Sequence, residues 1–313
     1  MPPTLSTTVP PARRLLARSA PLATIICVVS LVATTTLSAR TPPRHALDSE
    51  RGVRAESARS PTSGNRSGDA RRDPCSSVHS RLRCPDLIMS APRELQIDRS
   101  TIPGRVLLRA TSSVNNDGAG PLELRAHRTG RHRTVVYQAV YDRRGRAHLF
   151  RTAARLTFKY VPGERYGFGD VGASSYWKLH HAAAFQLWWL GTHYRALRLV
   201  RRGPKVDYCL RDLARIKPSA RSPRAPVYPG CSEDPGMRRD VLGTSVGWSD
   251  IYPSSYPEQW IDVTGLRGRF AYVQIADPDR LLFEADDRND VSETYIDLPS
   301  GRVLGRRVGV MEP

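Results

Sequence analysis

Three sets of residues in this chain have the types and spacing to do chemistry. His180 and His181 are adjacent, and His193 lies twelve residues past the second. Neighbours on a strand point to opposite faces, so such a trio needs a hairpin to bring His193 back before the imidazoles can close on a transition metal such as copper. The plainer reading is solvated or core-satisfied histidines. Glu284, Asp286, Asp287, Asn289 and Asp290 alternate oxygen donors along one turn. That suits calcium, although the spacing is not that of an EF-hand, and a solvated turn is the alternative. The stretch Thr244–Leu266 is aromatic-rich and holds no basic residue, in a chain of net charge +18. Its Asp250 and Asp262 would serve as a general base, or cap turns.

The elements that must position these groups read as strands. Short β-branched and aromatic runs alternate with turn clusters from Cys75 onward. Strands are expected at Arg105–Ala110, Leu122–His127, Val135–Tyr141, Ala147–Thr152, Leu156–Tyr160, Phe185–Leu190, Leu197–Arg201, Lys205–Leu210, Leu242–Tyr252, Gln259–Thr264, Phe270–Ala276 and Glu293–Leu298. His180–Phe185 fits one helical turn. Asn116-Asp117-Gly118, Arg143-Arg144-Gly145 and Arg267-Gly268 supply turns. Many short strands at regular spacing predict an all-β, antiparallel β-sandwich with long loops. No amphipathic helix of a dozen residues, internal repeat, Rossmann or P-loop fingerprint is present.

Four regions follow from composition. Residues 1–39 read as a signal peptide or membrane anchor: Arg13, Arg14 and Arg18 precede an uncharged run from Ser19 to Ala39. Residues 40–74, rich in Arg, Ser, Gly and Pro, read as a disordered linker. Residues 75–300 hold the sandwich, and 301–313 read as a basic tail. The chain is therefore expected to be secreted or held at the cell surface. Cysteine usage agrees. Cys27 lies in the apolar run, and Cys75, Cys84, Cys209 and Cys231 remain. Four cysteines allow three pairings; the local ones, Cys75–Cys84 and Cys209–Cys231, are simplest, each worth roughly 2–4 kcal/mol. No pair has the two-residue spacing of a zinc knuckle.

Lysine is scarce. Lys159, Lys178, Lys205 and Lys217 are the only lysines among 48 basic residues, a skew that reflects coding bias as much as function. The arginines are spread along the chain with no recognition helix, RNA motif or zinc finger, so no nucleic-acid partner is expected. An anionic cell-envelope or matrix polymer suits the charge better.

Several segments, in order, resemble one family. Trp248-Ser249-Asp250-Ile251-Tyr252, followed by Gln259-Trp260-Ile261-Asp262-Val263-Thr264, is similar to the C-terminal signature of the lysyl oxidases, bacterial ones above all. Pro85-Asp86-Leu87, Val114 to Leu124, Gly203-Pro204-Lys205-Val206-Asp207-Tyr208-Cys209-Leu210-Arg211-Asp212 and the acidic turn Glu284–Asp290 resemble other parts of that family. The likeness spans about Pro85 to Leu298. It implies a sandwich, and a copper-dependent enzyme that deaminates primary amines or peptidyl lysine through a lysine tyrosylquinone built from its own side chains. By position the quinone precursors are Lys205 and Tyr252. The resemblance places three histidine ligands for copper at alternate positions, which share one face of a strand. Here those positions hold Ser174, Tyr176 and Lys178; a shifted register gives His180, Ala182 and Ala184. The copper set therefore departs from the family pattern. Two expectations result: a copper/quinone amine oxidase with a rearranged metal site, or a non-catalytic, disulfide-stapled surface or matrix module of the same fold.

Overall fold

The computed structural model describes residues 73–76, 81–131, 133–162, 164–166, 169–171, 173–310 and 313, with 164–166 and 169–171 as backbone only. The expected signal or anchor over 1–39, and the linker up to residue 72, lie outside these residues.

The described chain is all-β. Its strands are β1 (Leu82–Arg83), β2 (Leu87–Met89), β3 (Leu95–Asp98), β4 (Leu107–Ala110), β5 (Ser112–Asn116), β6 (Leu122–Gly130), β7 (Arg133–Asp142), β8 (Ala147–Arg151), β9 (Leu156–Val161), β10 (Glu164–Tyr166), β11 (Gly169–Val171), β12 (Ser174–Leu179), β13 (Ala183–Leu190), β14 (Ala196–Arg202), β15 (Ala214–Arg215), β16 (Arg239–Thr244), β17 (Trp248–Tyr252), β18 (Trp260–Asp262), β19 (Gly268–Ala276), β20 (Val291–Leu298) and β21 (Arg302–Val310). One 3-10 turn, Thr192–Tyr194, joins β13 to β14. The largest sheets run β14-β13-β19-β20-β21 and β1-β7-β6-β16, with β8 on the outer side of β7. Two smaller ones run β15-β17-β5-β2 and β18-β4-β3, and β12 pairs with β9 as a ribbon.

Alternation explains the layering. On β6, Leu122, Leu124 and Ala126 enter the main core while Arg125 points out toward solvent. The central strand β19 is buried on both faces. Phe270, Tyr272 and Ala276 join the main core, and Ala271, Val273 and Ile275 pack with Leu190, Val291 and Tyr295 in a second cluster. A strand covered on both faces reads as a near-continuous apolar run, as Phe270–Ala276 does apart from Gln274.

Four expectations are corrected. Lys205–Leu210 is not a ladder strand: Pro204 offers no N–H, the Lys205 amine turns inward onto the Asp207 carbonyl, and one bridge, Leu179 to Tyr208, remains. The expected strand Leu242–Tyr252 is broken at Gly247, which takes φ +72°. A Cβ there would lie 2.2 Å from the Lys217 carbonyl oxygen. His180–Phe185 is no helical turn; His181 adopts φ 55° and the chain passes from β12 into β13. Residues 302–310, expected as a tail, form β21 against β20.

Both local disulfides form, Cys75–Cys84 and Cys209–Cys231. The second ties the loop that follows Lys205 to the loop that precedes β16.

Candidate functional site

The loop after β14 delivers Lys205 into the core. It can enter because Gly203 packs where a Cβ would meet the Trp260 carbonyl oxygen at 2.9 Å and the Phe185 Cβ at 3.1 Å. Lys205 is 1% exposed, and its amine is wrapped in phenol rings. Its Nζ lies 3.9 Å from the ring centre of Tyr208, 4.3 Å from that of Tyr252 and 5.2 Å from that of Tyr256. It donates to the backbone carbonyl of Asp207. Burial holds its pKa well below the ordinary lysine value and the Lys178 amine adds to this, while Asp250, Glu258 and Asp207 pull the other way.

Three tyrosines form the cage. Tyr208 and Tyr252 meet edge to face at 4.4 Å, and Tyr252 and Tyr256 at 4.7 Å. Geometry of this kind is worth about 0.5–1.5 kcal/mol per pair beyond burial. The Tyr252 hydroxyl accepts the Cys209 amide at 3.1 Å, and Tyr208 hydrogen-bonds Ser112 at 2.7 Å. Burial raises the pKa values of both phenols well above the usual range, so both are protonated at neutral pH.

The β12 strand supplies the opposite wall. Tyr176 and Lys178 share one face and line a cavity of about 790 Å³ with Tyr252, Tyr256, Ile251 and the Cys209–Cys231 disulfide. Trp177 points the other way, where it packs on Phe158 at 5.3 Å and donates to the Asp234 carbonyl at 2.8 Å. Lys178 is 2% exposed. It donates to the Tyr256 hydroxyl at 3.2 Å. Burial and the Lys159 ammonium lower its pKa to about 8. Lys159 binds Glu258 at 2.9 Å and Asp207 at 3.6 Å.

Below the cage, Asp250 is fully buried and neither carboxylate oxygen has a hydrogen-bond partner. Burial raises its pKa to about 8, against the attraction of Arg211, Lys205 and Lys178. Arg211, half-buried in the cavity wall, keeps its Nε unpaired.

Lys205 and Tyr252, the two residues that the resemblance pairs, lie together. The three histidines do not. His180 Nδ1 is 3.0 Å from Asp207, His181 Nδ1 is 2.5 Å from Asp279, and His193 stands exposed on the 3-10 turn. Among the described residues no group of three or more His, Cys, Asp or Glu is placed to hold a metal ion. Copper does not fit the alternate positions either. Ser174 is turned to Glu233 at 2.9 Å, Tyr176 presents a phenol and Lys178 an amine. Asp262 is at the surface, paired with Arg105 at 3.3 Å, and so is remote from a base's task.

The acidic turn is a second cluster. Glu284 accepts the Leu87 amide at 2.6 Å, and Asn289 donates to Asp86 at 3.2 Å. Asp290 Oδ1 and Asn289 Oδ1 are buried with no partner. Burial and neighbouring carboxylates raise Asp290 to about 8 and Glu284 well above its ordinary value. Asp286 turns outward onto Arg288, and Asp287 is exposed beside Arg280.

Tyr208, Tyr256 and Arg211 are site residues that the sequence reasoning did not single out. Tyr208 and Arg211 sit in the quoted segment after Lys205, three and six positions on, which was a usable signal; Tyr256 looked like part of a turn. No protein-family model matches this sequence, and no curated protein matches it significantly.

Proposed function

We propose that this chain is a secreted or cell-surface module of lysyl-oxidase-like build, whose central cavity binds rather than oxidises, and whose basic surface meets an anionic cell-envelope or matrix polymer. One observation carries this reading. The buried Lys178 amine occupies a position where the resemblance expects a copper ligand. A dication about 4 Å from an ammonium meets roughly 8 kcal/mol of repulsion at an effective dielectric of 20. A neutral amine there is still one donor in place of three imidazoles.

The surface supports the partner class. Arg198, Arg201 and Arg202 on β14, and Arg302, Arg306 and Arg307 on β21, are exposed on the two edge strands of the five-stranded sheet. Those edges would lie along an anionic chain.

A second reading, amine oxidation of a primary amine or a lysine-containing protein through a lysine tyrosylquinone, draws on the 4.3 Å approach of Lys205 Nζ to the Tyr252 ring. One experiment separates the two. Exported protein is loaded with copper, freed of excess, analysed for metal and assayed with a diamine. The binding reading expects little retained copper and no hydrogen peroxide. One copper per chain, peroxide release and a cross-linked Lys205–Tyr252 peptide would overturn it.

The acidic turn adds a structural role. Asp86, Glu284, Asn289 and Asp290 are oxygen donors with two buried oxygens left unpaired. Asp86, Glu284 and Asp290 do not converge as a metal-holding group, so calcium would have to draw them together to neutralise carboxylates that otherwise hold protons.

A further inference from the structure

We propose that the cavity binds small carbonyl compounds carrying a carboxylate covalently, with Lys178 Nζ condensing on the carbonyl carbon and Arg211 holding the carboxylate. The proposal rests on the reading that copper does not occupy this pocket. Three observations carry it. First, Lys178 and Arg211 line the same cavity of about 790 Å³, whose walls include the apolar Ile251, Leu213, Pro229 and Pro253. Second, among the described residues no carboxylate pairs with Lys178. Of the three carboxylates that attract it, Glu258 and Asp207 are engaged by Lys159, and Asp250 acts without a hydrogen bond to it. Its hydrogen bond goes to the Tyr256 hydroxyl, 3.2 Å away. Third, Arg211 Nε is buried with no partner. Lys178 and Arg211 line one space, neither in a salt bridge although the buried Asp250 attracts both, and that arrangement suits a ligand with an electrophilic carbon at one end and an anion at the other.

The chemistry balances without an oxidant. The Lys178 nitrogen lone pair forms the C–N bond, and the carbonyl π pair moves to oxygen. The proton lost from nitrogen reaches that oxygen through the Tyr256 hydroxyl, giving a carbinolamine. The C–O bond then breaks, water leaves with a second proton from nitrogen, and a C=N bond remains. One amine and one carbonyl become one imine and one water. Lys205 is not the nucleophile, because it is sealed under the three tyrosine rings and does not reach the cavity wall.

The test uses the full chain, freed of metal with EDTA, incubated with glyoxylate and sodium cyanoborohydride, then digested for mass spectrometry. The expected result is one carboxymethyl group on Lys178, ahead of Lys159, Lys205 and Lys217. Lys178→Arg removes that label. Arg211→Gln slows trapping of glyoxylate about tenfold, the worth of one charge-assisted hydrogen bond, and leaves trapping of propanal unchanged. In urea, where the pocket is gone, the preference for Lys178 disappears, a readout that needs no variant to fold. The proposal is overturned if label spreads evenly over the lysines of the folded chain, if Lys205 is modified first, or if Arg211→Gln traps glyoxylate as fast as the parent. Because the protein is metal-free and the readout is an adduct, failure here leaves the copper and peroxide result to judge the reading above independently.

Discussion

The lysine–tyrosine cavity and the acidic turn both bury ionisable groups, and they differ in sign. Amines and a carboxyl lie in and around the cavity: burial lowers Lys178, in its wall, to about 8 and raises Asp250, outside its lining, to about 8. Groups of opposite sign there attract one another and partly offset the cost of burial. The turn's buried ionisable groups are all acids, and neighbouring carboxylates raise Glu284 and Asp290. The turn must keep protons or take a cation. The lesson is that a buried cluster of mixed sign can serve a neutral or dipolar ligand, whereas one of single sign asks for a counter-ion.

The largest expected effect tests what holds the cavity. Replacing Cys209 and Cys231 by serine frees the loop carrying Tyr208 and Arg211. It should lower stability by about 3 kcal/mol in urea unfolding without reductant. A similar loss from Cys75 and Cys84, together with an intact cavity, would erase this distinction between the regions.

The pH dependence contrasts the two clusters directly. Lys178 binds its proton more weakly folded, at about 8, than unfolded, at 10.5. Its burial therefore destabilises the fold below pH 8, and stability recovers as pH rises from about 8 to 10.5. The span is about 3 kcal/mol at 1.36 kcal/mol per unit. Lys178→Met should lessen that rise, while the share due to Lys205 stays. Asp290 has the opposite sign: its pKa is raised from 3.8 to about 8, so its contribution falls as pH rises through that window. Asp290→Asn should lessen the fall, while the share due to Asp250 stays. Urea midpoints across pH 4 to 11 check both slopes.

Calcium sharpens the comparison next. At a hundredfold excess over its dissociation constant it should add about 2.7 kcal/mol to the parent and nothing to Asp290→Asn. It should also remove the turn's share of the loss between pH 4 and 8. Stabilisation that survives Asp290→Asn would place the ion elsewhere. The smallest effect is expected from Ser112→Ala, which removes the partner of the Tyr208 hydroxyl and should cost about 1 kcal/mol while the amine cage persists.

Much of the scaffold was legible in residue order. The runs at Leu122–His127 and Phe270–Ala276 carry their strand pattern openly, because side-chain alternation and a doubly covered strand leave plain marks. Polar runs hid others. Ser112–Asn116 is a strand with one apolar residue, held by a partner far away in sequence, and Ser174–Leu179 opens on two serines and pairs with the nearer β9. At the site, Lys205 and Tyr252 were legible through a family likeness, and Asp250 as a nearby acid. Tyr256 was not, because a tyrosine between two turn prolines shows no preference for inside or outside until its neighbours are placed.

What the chain's order determined by itself is local: alternation that makes strands, glycines where the backbone must pass closely, and cysteines near enough in sequence to bridge. These depend on backbone geometry and short loop closure, which adjacent residues settle. The tertiary structure alone decided that Lys178, Lys205, Tyr208, Asp250, Tyr252 and Tyr256 cluster in and beneath one cavity wall, and that the histidines do not converge. Their protonation follows from that, because desolvation and charge act through distances of a few ångströms that only the packed sheets define.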